Sequence, residues 1–177
     1  MLPRKLQDLW DEMEKCREIT LAAARSMSEE EFTRRVDGEW SVAEILEHLL
    51  IAETGTSKVI RKCLKENAGK LPPYPADDSV LSVRLPEIPP VQVTEAPAAA
   101  IPSGGIGQEE LLLRAAEVRR QMRVSLEMLS GVDPSAAEFP HVLFGNLNLY
   151  EWPWLLVLGH ERQHHRQIEG ILRKLKG

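Results

Sequence analysis

Two of the five histidines in the 177-residue chain fall where an amphipathic helix would carry an apolar residue, and a third lies beside such a face. His160 and His164 are four residues apart, a spacing that puts both on one face of a helix. They continue a stripe that runs Leu156, His160, His164, Ile168, Ile171, Leu175. His48 lies three residues after Ile45 and four before Ala52, on the flank of a second apolar face. An imidazole buried without a partner costs on the order of 2–7 kcal/mol, so something must satisfy these rings if the two faces meet. A divalent metal does this, since neutral imidazole is a common ligand. Three histidines leave a coordination position open, which is the pattern of catalytic sites. Ordinary hydrogen bonding in a core would satisfy the rings too, and the spacing alone leaves both readings open.

The neighbouring residues suggest further roles. Glu44, one turn before His48, is the one acid placed to act as a catalytic base, although Ser41 and Glu44 also form a capping box, the simpler role. Gln167, three after His164, is placed to orient a ligand's second nitrogen or to satisfy an interface. His141 precedes the last helix and either lines the mouth of the site or caps a turn. His165 is expected on the solvated side. Trp40, Trp152 and Trp154 read as packing residues. Cys16 and Cys63 are too few for a disulfide framework and read as small buried hydrophobes.

Four long helical segments must position these groups. Residues 3–26 place Leu6, Leu9, Trp10, Met13 and Cys16 on one stripe. A short turn follows at the Ser28/Glu31 capping box. The second long helix starts at Ser41, carries Val42, Ile45, Leu46, Leu49, Val59, Ile60 and Cys63, and ends near Asn67 or Gly69. Residues 107–130 carry Leu112, Ala115, Val118, Met122, Leu126 and Leu129, and Gly131 and Pro134 stop them. The last helix spans about 149–175, with Asn148 and Glu151 as its cap. The pattern predicts an all-α four-helix bundle in one domain, 1–177. Eight of the twelve prolines lie between residues 68 and 104, so this stretch reads as one long proline-rich crossover between the second and third helices. A short edge strand is expected there around Val91 to Val93.

The net charge of -5 argues against nucleic acid as a partner, which needs a basic face. No apolar run approaches the roughly 20 residues of a membrane-spanning helix. The N-terminus lacks the apolar stretch of a secretory signal, so a cytoplasmic protein with reduced thiols is expected.

The segments DGEWSVAEILEHL, HVLFGNLNLYEW and HERQHHRQIEGIL, in this order, resemble the DinB/YfiT-like family of metalloenzymes across nearly the whole chain outside the proline-rich stretch. The resemblance implies a four-helix bundle, often dimeric, holding a nickel- or zinc-type ion on three histidines. By position these are His48, His160 and His164, followed by Gln167. Relatives often carry arginine or histidine just before the second histidine of the HxxxH pair, where this chain has Gln163. Similar proteins include metal-dependent transferases that use low-molecular-weight thiols, and a thiol-dependent isomerase. The resemblance therefore implies thiol S-transfer or hydrolysis on a small molecule. The contrasting expectation is a non-catalytic, stress-associated dimer in which the ion only stiffens the bundle.

Overall fold

Two serine–glutamate boxes start helices in the first half of the chain. In the computed structural model, which describes residues 1–84 and 98–176, Ser28 caps α2 (Glu29–Thr33) and Ser41 caps α3 (Val42–Glu66). In each, the serine side chain accepts the backbone N–H three residues on, and that glutamate accepts the serine N–H in return. α1 (Arg4–Arg25) precedes them, and α4 (Gln108–Leu129) follows the crossover. The last helix is built in three consecutive parts: α5 (Glu151–Pro153), a π-helical turn (Trp154–Gly159) and α6 (His160–Lys176). The Asn148/Glu151 cap forms as expected: the Asn148 side chain accepts the N–H groups of Tyr150 and Glu151, and Glu151 accepts the Asn148 N–H at 2.9 Å.

Two large apolar clusters, one at each end of the bundle, make most of the core, and a small third one gathers Leu147, Trp152 and Leu155. One of the large clusters gathers Leu6, Met13, Ile60, Met122, Leu126 and Leu158, and the other Ala24, Ile45, Leu46, Leu111, Ala115 and Ile168. Cluster membership fixes the helix directions. The first halves of α1 and the last helix share an end with the second halves of α3 and α4. Hence α3 and α4 run parallel. Ser57 against Met122 and Glu53 against Arg119 show the same register. A 25-residue helix is about 37 Å long. The connection from α3 to α4 must return over that distance, which is why a short loop does not suffice here. Its start packs Leu71, Tyr74 and Leu81 on the first cluster and its end packs Ile106 on the second. The expected strand at Val91 to Val93 lies outside the described residues.

Between the clusters sits a buried charged layer with one member from each long helix: Arg17, Glu53, Arg119 and Glu161. Arg17 Nε donates to Glu161 Oε1 at 2.7 Å, and its Nη2 donates to Glu53 Oε2 at 2.9 Å. Thr20 donates to Glu161 Oε1 at 2.7 Å. Arg119 Nε closes on Glu53 Oε1 at 2.9 Å as an ion contact, without the alignment of a hydrogen bond. Burial works against charge on both Arg17 and Glu161, but the mutual attraction prevails, so Arg17 titrates higher and Glu161 lower than usual.

The segment before the last helix, which the sequence reads as a loop around His141, is instead ordered as two strands. Residues 138–148 form a hairpin, β1 (Glu138–His141) antiparallel to β2 (Gly145–Asn148), with Glu138 opposite Asn148. Gly145, at φ +68, closes its turn in a region that a β-carbon disfavours. Among the described residues no helix is long and apolar enough to cross a membrane.

Candidate metal centre

His48 sits in the second turn of α3, two turns on from the Ser41 cap, and is buried. His160 opens α6 directly after the π-helical turn, and His164 follows one turn later. Gly159 suits the widened turn, because a β-carbon there would stand 3.3 Å from the Trp154 carbonyl oxygen. Such turns are frequent at functional sites. Here the turn changes the helix phase before the histidines. Glu161 then faces the charged layer while His160 and His164 face α3.

The three rings converge. Nε2 of His160 lies 3.0 Å from Nε2 of His48 and 3.0 Å from Nε2 of His164. One ligand atom from each lies within 4.8 Å of the others, which makes the group competent to hold a metal ion. The outer nitrogens determine what the inner ones present. His48 Nδ1 is 2.6 Å from the Ala100 carbonyl oxygen, and His164 Nδ1 is 2.6 Å from Gln167 Oε1. Both oxygens accept only, so both Nδ1 atoms carry the proton and both Nε2 atoms turn lone pairs inward. Among the described residues, His160 Nδ1 is buried without a well-formed hydrogen bond, and the Leu156 carbonyl one turn back favours a proton on the ring. Two inward lone pairs, each 3.0 Å from His160 Nε2, make a donor set that could hold a cation. Metal–nitrogen bonds of 2.0–2.1 Å in tetrahedral geometry put nitrogens about 3.3 Å apart, close to the two 3.0 Å separations that involve His160.

Electrostatics keeps the rings neutral. Burial, followed by the neighbouring imidazoles His164 and His48, pushes His160 down to about 3. Burial and then His48 push His164 down to about 4. Burial lowers His48 as well. Metal ligation requires this neutral form. His164 is half-buried and Gln167 exposed, so solvent approaches the cluster from that side. Trp40 covers the other flank, with its ring 5.0 Å from that of His48.

The other expected residues take varied places. Glu44 accepts from the Ser41 N–H and hydroxyl and is ion-paired with Arg35, which holds its carboxyl below the usual range. A carboxylate so engaged is a weak base, and the geometry gives the base role no support. His141 stacks on Phe144 at 4.9 Å and meets the Trp152 ring edge-on at 5.3 Å. Its Nδ1 accepts the Leu143 N–H at 3.2 Å, and its charge is near enough to weigh on His160. Trp152 and Trp154 pack as expected. Cys16 and Cys63 are free and buried.

His165 corrects the expectation of a solvated residue. It is half-buried against α1, with Nε2 3.1 Å from Thr20 Oγ1 and 3.7 Å from Cys16 Sγ. The reason is that α1 packs on the flank of α6 next to the histidine face, so the position one residue past His164 is covered by Thr20 and Cys16. Sequence reasoning also missed the charged layer and the clasp between Glu47 and the end of the crossover. Glu47 accepts the Ser103 N–H at 2.9 Å, its hydroxyl at 2.6 Å and the Gly104 N–H at 3.0 Å. The one sequence signal for it is that Glu47 adjoins His48 within the buried start of α3.

Comparisons with known proteins agree with the architecture. The crystal structure of TT2238, a four-helix bundle protein, superposes with a TM-score of 0.62 at 19% identity, covering 93% of this chain and 98% of that one. A search of curated proteins finds no match. The family model described as the DinB superfamily matches residues 12–168, and on that match the chain belongs to the DinB superfamily.

Proposed function

We propose that the protein is a divalent-metal-dependent enzyme acting on a small molecule, with His48, His160 and His164 as the ligands of a zinc or nickel ion. One observation carries this reading. The Ala100 carbonyl and the Gln167 amide oxygen fix the protons of His48 and His164 on the outer nitrogens, so both turn an Nε2 lone pair toward His160 Nε2, 3.0 Å from each. Hydrogen bonding among the three rings alone leaves the one proton that His160 Nε2 can carry to serve two inward lone pairs at once. Three ligands leave a position free on the side where His164 is half-exposed. An ion there supplies Lewis acidity and lowers the pKa of a thiol or of water, making a nucleophile available at neutral pH.

Between the two reaction classes, the chain's own residues favour thiol transfer. Hydrolysis calls for a base, and Glu44 is committed to Ser41 and Arg35. A thiol, acidic enough to be deprotonated at the ion, needs less help. The test is to load the protein with nickel and titrate a low-molecular-weight thiol while recording the visible and near-ultraviolet spectrum. A saturable thiolate-to-nickel charge-transfer band supports an open, thiol-accepting site. A coordination shell closed by a fourth protein ligand, with no response to thiol, supports the non-catalytic reading instead.

A further inference from the structure

The end of the crossover is tied to α3 at two adjacent residues, Glu47 and His48. Glu47 is buried, and among the described residues its three hydrogen bonds come from Ser103 and Gly104. A buried carboxylate without such donors is costly, and charge-assisted bonds are strong, so this is a firm anchor. Only Ile101 and Pro102 separate it from Ala100, and Pro102 is buried with its φ fixed by the ring. The anchor at 103–104 therefore dictates where the Ala100 carbonyl stands. Gly104 and Gly105, at φ +71 and +76, then turn the chain away toward α4. The Ala100 carbonyl reaches His48 Nδ1 at 2.6 Å.

That contact decides what His48 offers. With Ala100 in place, the proton stays on Nδ1 and Nε2 is an acceptor. Without it, His48 is free to carry the proton on Nε2 and donate to His160 Nε2, 3.0 Å away, which fills the space an ion would take.

We propose that Glu47 is a positioning residue for the three-histidine centre, holding Ser103 and Gly104 so that the Ala100 carbonyl keeps His48 Nε2 free for a cation. This rests on the metal reading of the site. Glu47 touches no ligand atom in its own right and acts through the backbone of the crossover. By reciprocity, an ion at the centre tightens the crossover's hold on α3 by the same factor as that hold tightens the ion.

The experiment uses the full chain, with nitrogen-15 NMR of the histidines in metal-free protein and zinc titration in parallel. Wild type is expected to show His48 protonated on Nδ1. In Glu47→Gln the His48 signals move toward the Nε2-protonated form, and zinc binding weakens about 10–100-fold. Ser103→Ala, which keeps the charge of Glu47, shifts both readouts in the same direction by less, and it decides the matter if Glu47→Gln does not fold. An unchanged tautomer in both variants overturns the proposal. So does weaker zinc binding with an unchanged tautomer, since that is only the loss of a nearby charge. If wild type takes no zinc, the metal reading fails, while the tautomer shift still separately decides whether Glu47 positions His48.

Discussion

Arg17 and Glu161 are 144 residues apart in sequence and joined by two hydrogen bonds in the middle of the bundle, at 2.7 and 3.1 Å. Both are almost fully buried, and Glu161 follows His160 directly. The pair thus ties the helix carrying two of the three site histidines to α1. Removing Glu161 leaves two buried arginines, Arg17 and Arg119, with Glu53 as their one remaining carboxylate in the layer. Glu161→Ala should lower stability by about 3–5 kcal/mol, measured by urea denaturation at pH 7.5. A loss below about 1 kcal/mol would show that water or a rearranged Glu53 replaces the carboxylate.

The histidine cluster makes the metal-free protein sensitive to acid. His160 and His164 titrate near 3 and 4, against about 6.5 unfolded. The unfolded chain therefore binds more protons below pH 6.5. Stability is fully present above that pH and falls as the pH drops toward the folded values. At pH 5 the loss is on the order of 2 kcal/mol for His160 alone. Glu161, whose pKa is also lowered, contributes only below the usual carboxylate range, so pH 5 isolates the histidines. Urea midpoints at pH 7.5 and 5.0 check this, and equal midpoints would contradict it.

Gln167 holds His164 from outside the cluster, with Oε1 2.6 Å from Nδ1. Gln167→Ala removes that acceptor and should weaken zinc binding roughly 10-fold, with little effect on stability because the residue is exposed. Gln167→Glu keeps an acceptor and should restore the affinity. Isothermal titration of the two variants distinguishes them, and identical affinities would remove Gln167 from the account.

The cysteines should be inert in the folded protein. Burial and the Glu161 carboxylate push the Cys16 thiol up to about 11, and burial raises Cys63. Iodoacetamide at pH 8 should leave both unmodified by mass spectrometry until urea is added. Rapid native labelling of Cys16 would show that its contact with His165 activates it, contrary to its burial.

Much of this architecture was legible in the residues. The capping boxes at Ser28/Glu31 and Ser41/Glu44 and the apolar stripes of the four helices follow from local rules, and the structure has them where those rules put them. The approach of His48 to the HxxxH pair followed from two apolar faces that had to meet. What stayed hidden depends on phase and on distance in sequence. The π-helical turn at Trp154–Gly159 breaks the constant period on which stripe reading relies, and His165 is covered by α1, whose place beside the histidine face no stripe on the last helix announces. Arg17, Glu53, Arg119 and Glu161 look like surface charges because each finds its partners only on other helices. The clasp at Glu47 joins residues more than fifty positions apart through backbone groups, which no side-chain pattern announces.

The central claim is that His48, His160 and His164 together hold one divalent ion. Elemental analysis of untagged protein after zinc or nickel loading and gel filtration tests it most directly, alongside His160→Ala. One equivalent in wild type and almost none in the variant is the predicted result. Wild type that retains no stoichiometric metal, or a variant that retains as much as wild type, would contradict it.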